Sequence, residues 1–82
     1  MENTSGAPNY SGFGPNSFNK RQLLEIIRMR VRAGKSARRN YTVDNLDSTS
    51  RKSLVSGAKR LRKPHSWSFY ANSGNVMRYA GQ

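Results

Sequence analysis

Cysteine is absent from the 82 residues, so neither a disulfide nor a thiolate metal site can staple the fold. The core has to come from Leu, Ile, Val and aromatic side chains. Long apolar runs are missing too: nothing approaches the roughly 20 residues of a membrane span, and the N-terminus has neither a basic start nor an apolar signal segment. Acids are scarce. Glu2, Glu25, Asp44 and Asp47 are scattered so that no acid/base pair or metal cluster is apparent, and His65 stands alone, better placed as a strand-edge residue than as a ligand. The reading is of a non-enzyme with no cofactor and no metal. A hydrophobic content of 34% leaves room for one domain with a small core, expected to be soluble and not secreted. Its setting would be cytoplasmic or nucleoid-associated, or nuclear in a eukaryote.

Positive charge is what the chain has in excess. Fourteen of its fifteen Lys and Arg residues lie between Lys20 and Lys63, where Glu25, Asp44 and Asp47 are the only acids, and the net charge is +11. A stretch so self-repelling stays compact only by placing its charge on an outer face, where a phosphate backbone can neutralise it. Nucleic acid is the first candidate partner.

The chain divides near residue 19. Residues 1–19 are rich in Asn, Ser, Gly and Pro, carry the single charge of Glu2 and show no helical or strand period, so they read as a flexible polar tail despite Tyr10, Phe13 and Phe18. Residues 20–82 form the basic domain. Leu23, Leu24, Ile27 and Val31 recur there at helical spacing while Arg28, Arg30 and Arg32 project elsewhere, which predicts a helix over about 20–33 with Asn19 as its cap and Ala33-Gly34 as its stop. A basic amphipathic helix can also lie on an anionic membrane or in a groove of the calmodulin type, but an apolar stripe of this kind more simply faces a core. The following Gly34-Lys35-Ser36 is not a phosphate-binding loop. Met29 stands where such a loop needs glycine, so Lys35, Arg38 and Arg39 read as solvated charges or phosphate contacts.

Tyr41 and Thr42 favour a short extended piece, after which Thr42 can cap a brief helix containing Val43 and Leu46. Asp44 and Asp47 each lie near a predicted helix start, where a carboxylate favours the positive dipole end. Ser48 or Ser50 can cap a longer helix to about Lys63, with Leu54, Ala58 and Leu61 on one face. Lys52, Ser56, Lys59 and Lys63 fall at spacings of four, three and four and make a polar stripe opposite that face. Gly57 weakens this helix, and close approach of another element is its best reason. Pro64 ends it. The remainder reads as a β-hairpin with a turn at Asn72-Ser73-Gly74, which pairs Phe69 with Met77 and Trp67 with Tyr79 on the inner side and leaves Ser68, Tyr70, Val76 and Arg78 on the other.

The order helix, short strand, helix, helix, hairpin resembles a winged helix-turn-helix domain over roughly Lys20 to Ala80. The counterparts are Val43 and Leu46 in the small helix, Leu54, Ala58 and Leu61 with Lys59-Arg60 between them in the next, and strands around Trp67 and Val76. The turn Asp47-Ser48-Thr49 departs from the family in lacking its usual glycine and apolar residue, and Gly57 is unusual in mid-helix. The resemblance implies an α+β fold of three helices plus a C-terminal β-hairpin, with a recognition helix at about 50–63 and a wing at about 65–80. It implies binding of duplex DNA, specific or sequence-tolerant, by a small transcriptional regulator. Arg51 and Lys52 would read bases with Ser50 and Ser56 beside them, while Lys59, Arg60, Lys63 and Arg78 would hold phosphates. The alternatives are a small viral or mobile-element protein that inhibits a host protein such as RNA polymerase, and an RNA-binding protein; a winged fold can also present Trp67, Tyr70 and Tyr79 to a protein. A homodimer is as compatible with the pattern as a monomer.

Overall fold

In a computed structural model, which describes residues 14–34, 39–61 and 65–82, the first helix begins where a reciprocal cap fixes it. Asn19 Oδ1 accepts from the Gln22 amide at 2.9 Å, and Gln22 Oε1 accepts from the Asn19 amide at 2.9 Å. Two otherwise orphaned donors are satisfied at once. Helix α1 then runs over Lys20–Arg32 and closes at Gly34, whose φ of 101° is the left-handed conformation that glycine tolerates. Leu23, Ile26, Ile27 and Arg30 are buried along one side, and Gln22, Leu24 and Glu25 are buried as well. A helix covered on more than one side is the centre of its fold. Two expectations about α1 are corrected here: Val31 is 39% exposed rather than packed inward, and Arg30 is fully buried rather than projecting with Arg28 and Arg32.

Helix α2 (Arg51–Arg60) is capped by Ser50, whose Oγ accepts from the Ser53 amide at 3.0 Å. It buries Leu54, Gly57 and Ala58, and Leu61 follows as its buried C-cap. Burial of each leucine stabilises the fold by about 1.5–3 kcal/mol, so this side anchors the helix. Gly57 has the role its position suggested: a Cβ there would lie 2.7 Å from the hydroxyl oxygen of Tyr41. That hydroxyl donates to the Ser53 carbonyl at 3.1 Å, drawing the chain before α2 against the helix.

Helices α1 and α2 lie side by side in the same sense. At one end Arg51 donates to the Pro15 carbonyl, just before α1, at 2.8 Å. At the other, Arg30 in the last turn of α1 donates to the Ala58 carbonyl in the last turn of α2. Parallel neighbours need a connection that returns the full helix length, which explains why residues 33–50 separate them. In its described part, Lys20 Nζ donates to the Leu46 carbonyl at 3.4 Å, and Asn45 knits the turn. Asn45 accepts from the Thr42 amide at 3.0 Å and donates through Nδ2 to the Asn40 carbonyl at 2.8 Å. Thr42 does accept from the Asn45 amide at 3.2 Å, as a cap would, but residues 43–48 make turns and no helix follows. Val43 is exposed, Leu46 is half-buried, and Asp44 and Asp47 are exposed in these turns rather than capping a helix.

The C-terminal segment overturns the winged-helix fold class. Helix α3 (Trp67–Ala71) and helix α4 (Gly74–Met77) occupy the place of the expected hairpin, and no strand occurs among the described residues. The four α-helices described, with a 3-10 turn at Pro15–Ser17, make an all-helical domain instead of an α+β one. The physical reason is periodicity. Trp67, Tyr70 and Ala71 fall at helical spacing and pack on the core, with Tyr70 fully buried, and Val76 is buried from α4. A hairpin would have turned Tyr70 and Val76 outward and Phe69 and Met77 inward; both of the latter are exposed. The polar run Asn72-Ser73 caps rather than turns a hairpin: Asn72 closes α3 and Ser73 opens α4. Phe18, assigned to the tail by composition, is buried in the core against Trp67 at a ring distance of 6.1 Å. Residues 1–13 lie outside the described residues, as do Lys35, Arg38, Lys63 and Pro64.

Candidate functional site

Leu54, Ala58 and Leu61 fix the rotation of α2, and this decides which of its polar residues meet solvent. Lys52, Ser56 and Lys59, at spacings of four and three, stand opposite the buried side and are exposed, with Arg60 beside them. None of the three cations pairs with a carboxylate among the described residues. At the helical rise, Lys52 and Lys59 are about 10 Å apart along the axis. The fourth member of the expected stripe, Lys63, lies outside the described residues.

Helix α2 has no acid in its first turn, where Arg51 and Lys52 stand instead. Cations there oppose the macrodipole at a cost of roughly 0.3–1 kcal/mol each, so that end is electropositive beyond its formal charge. Lys59 and Arg60, in the last turn, are favourably placed. Ser50 is exposed but its hydroxyl oxygen is engaged as the cap.

Arg51 departs most from its expected role. It is half-buried, and its Nη2 holds the Pro15 carbonyl on one side of an open cleft of about 570 Å³ lined by Phe18, Asn19, Gln22, Met77 and Gly81 among others. A guanidinium used in this way is occupied with tertiary structure. Arg78 is exposed near this cleft, since Met77 before it is a lining residue and Tyr79 after it accepts from Asn19 Nδ2 at 3.0 Å. The described α2 stripe ends at the other end of that helix. The expected set therefore splits: Lys52, Ser56, Lys59 and Arg60 share one surface, while Arg51 and Arg78 belong to the cleft end.

Arg39 joins the stripe although sequence spacing gave no sign of it. Its Nη1 donates to Ser53 Oγ at 2.8 Å and its guanidinium lies 5.9 Å from the Tyr41 ring centre, which brings an exposed cation alongside Lys52 and Ser56. Fourteen residues separate Arg39 from Ser53. Only the fold, through Tyr41 packing on Gly57, makes them neighbours.

No protein-family model, curated protein or solved structure matches this chain. Its residues carry the functional reading alone. The aromatics expected to face a protein partner do not form a surface: Tyr70 is buried, Trp67 is half-buried, and Tyr79 lies under the Arg21 guanidinium at 3.8 Å. Among the described residues no helix is long and apolar enough to cross a membrane.

Proposed function

We propose that the chain binds the phosphate backbone of nucleic acid through the outer side of α2, with little reading of sequence. The observation that carries this is the exposed Lys52–Ser56–Lys59 stripe, flanked by Arg60 and Arg39 and opposite a buried apolar side. No acid occurs anywhere from Ser48 to Gln82, so nothing on this half of the sequence opposes a polyanion. Charge of one sign on a helix braced from behind suits phosphate contacts, which position a protein without specifying bases.

Engagement of Arg51 by Pro15 favours the sequence-tolerant form of this reading, because the best candidate for a bidentate guanine contact is withdrawn. With no wing, α2 itself supplies the contacts. In a cell such a protein acts by occupancy, covering DNA or bringing other proteins to it, and transcriptional regulation is the role that follows. The test is binding to random-sequence DNA, duplex and single-stranded, across a salt series: affinity should fall steeply with salt and depend on Lys52 and Lys59. Binding that ignores salt would refute it.

A further inference from the structure

Among the described residues Phe69 is the one exposed aromatic side chain, at 42%, and two rings pack against it. The His65 ring stacks on it at 3.7 Å between centroids and 10° between planes, and the Tyr70 ring meets it edge-on at 5.3 Å and 90°. His65 is itself pinned, because its carbonyl accepts from Arg30 Nη2 at 2.9 Å. His65 covers one face of the Phe69 ring, so the exposure of Phe69 comes from the rest of the residue.

The same guanidinium locates this ring relative to α2. Arg30 Nη1 donates to the Ala58 carbonyl while Nη2 donates to that of His65, so the two carbonyls lie within the span of one guanidinium group. Lys59 and Arg60, both exposed, directly follow Ala58. The stacked pair therefore lies at the C-terminal end of α2, the end at which Lys59 and Arg60 stand.

We infer that Phe69 is a stacking platform for an unpaired base, and that the partner is single-stranded nucleic acid whose backbone runs along α2. This rests on the backbone-binding reading above and adds a base contact to it. An oriented aromatic face next to exposed cations is the arrangement by which single strands are held without sequence preference, since every base has a π-face. Bases inside a continuous duplex are already stacked and cannot reach the ring without unpairing. Charge complementarity selects this occupant over an apolar protein segment, because Lys59 and Arg60, at the same end of α2, have no carboxylate partners among the described residues.

The test uses the full chain and fluorescence anisotropy with three labelled probes: a thymidine 15-mer, an abasic strand of the same length, and a random duplex. Phe69→Ala, and Phe69→Leu as a second variant that keeps apolar bulk, should each weaken binding of the thymidine strand by about tenfold while leaving the duplex and abasic strands unchanged. Lys52→Glu with Lys59→Glu should weaken all three. Equal binding of the thymidine strand by wild type and both Phe69 variants overturns the stacking site, and a persisting effect of charge reversal then leaves the backbone reading standing. If charge reversal has no effect on any probe, both readings fall together.

Discussion

The fully buried guanidinium of Arg30 donates to the carbonyl oxygen of Ala58, joining the last turns of two helices that run side by side. Among the described residues no carboxylate pairs with it; the two ion pairs there, Arg21 at 3.1 Å and Arg28 at 3.7 Å, both belong to Glu25. Its charge is met by dipoles. The carbonyls of Ala58 and His65 accept from Nη1 and Nη2, the Tyr70 hydroxyl accepts from Nε at 3.1 Å, and the Trp67 ring lies 4.7 Å from the guanidinium carbon. Parallel helices bring their negative dipole ends together, and a cation between those ends offsets the repulsion.

Arg30→Ala should therefore cost about 3–5 kcal/mol or abolish folding, because it opens a cavity and strands three buried or half-buried acceptors. Arg30→Lys keeps the charge but not the planar fork, and should lose about 2 kcal/mol or more. Urea unfolding followed by far-UV circular dichroism measures both. A loss under about 1 kcal/mol for Arg30→Ala would show that the two helix ends do not depend on this side chain.

Tyr70 and Phe69 offer a direct check on the helical C-terminal segment. Tyr70→Ala should cost about 3–5 kcal/mol, and Phe69→Ala about 1, because the first ring is fully buried and the second is 42% exposed. A β-hairpin would reverse that order. Thermal or chemical melts of the two variants distinguish the arrangements.

Gly57→Ala tests the contact between α2 and the residues before it. Alanine gains about 1 kcal/mol in helix propensity, but its Cβ would overlap the Tyr41 ring and displace a hydroxyl that donates to Ser53. The ring is tied at its tip and half-buried, so displacement should win, with a net loss of about 1–2 kcal/mol. In a Tyr41→Ala background the same change should become stabilising. Additive effects in this cycle would mean that the two residues do not touch in solution.

These contacts also show what the sequence could and could not reveal. The cap at Asn19, the stop at Gly34, a serine cap narrowed to Ser48 or Ser50 and the inner side of α2 were legible because each depends on residues within a turn or two. Trp67 to Met77 was not. That run satisfies period two and helical spacing alike, and the choice is made by remote partners: Tyr70 reaches Arg30, forty residues away, and Val76 packs into the core. Burial of Arg30 had no local signal either, since Arg28, Arg30 and Arg32 look alike in sequence and only the neighbouring C-terminal carbonyls separate them. The exposed side of α2 followed from its inner side, but Arg39 entered, and Arg51 left, through tertiary contacts that spacing does not encode.

Lys52→Glu should separate stability from binding. Glutamate in the first turn of α2 replaces an unfavourable cation with a favourable anion, which should stabilise the fold by about 0.5–1 kcal/mol. The same change should weaken nucleic-acid binding. Unchanged or increased affinity in the folded variant would remove the exposed first turn of α2 from the interface.

The decisive experiment is the salt dependence of random-duplex binding by the wild-type chain and by Lys52→Glu with Lys59→Glu. Each phosphate contact adds a slope of about −0.9 to log affinity against log salt, so loss of two contacts should make the wild-type slope shallower by about two while the circular dichroism spectrum stays unchanged. An identical slope and affinity for a folded double variant would contradict a nucleic-acid surface on α2.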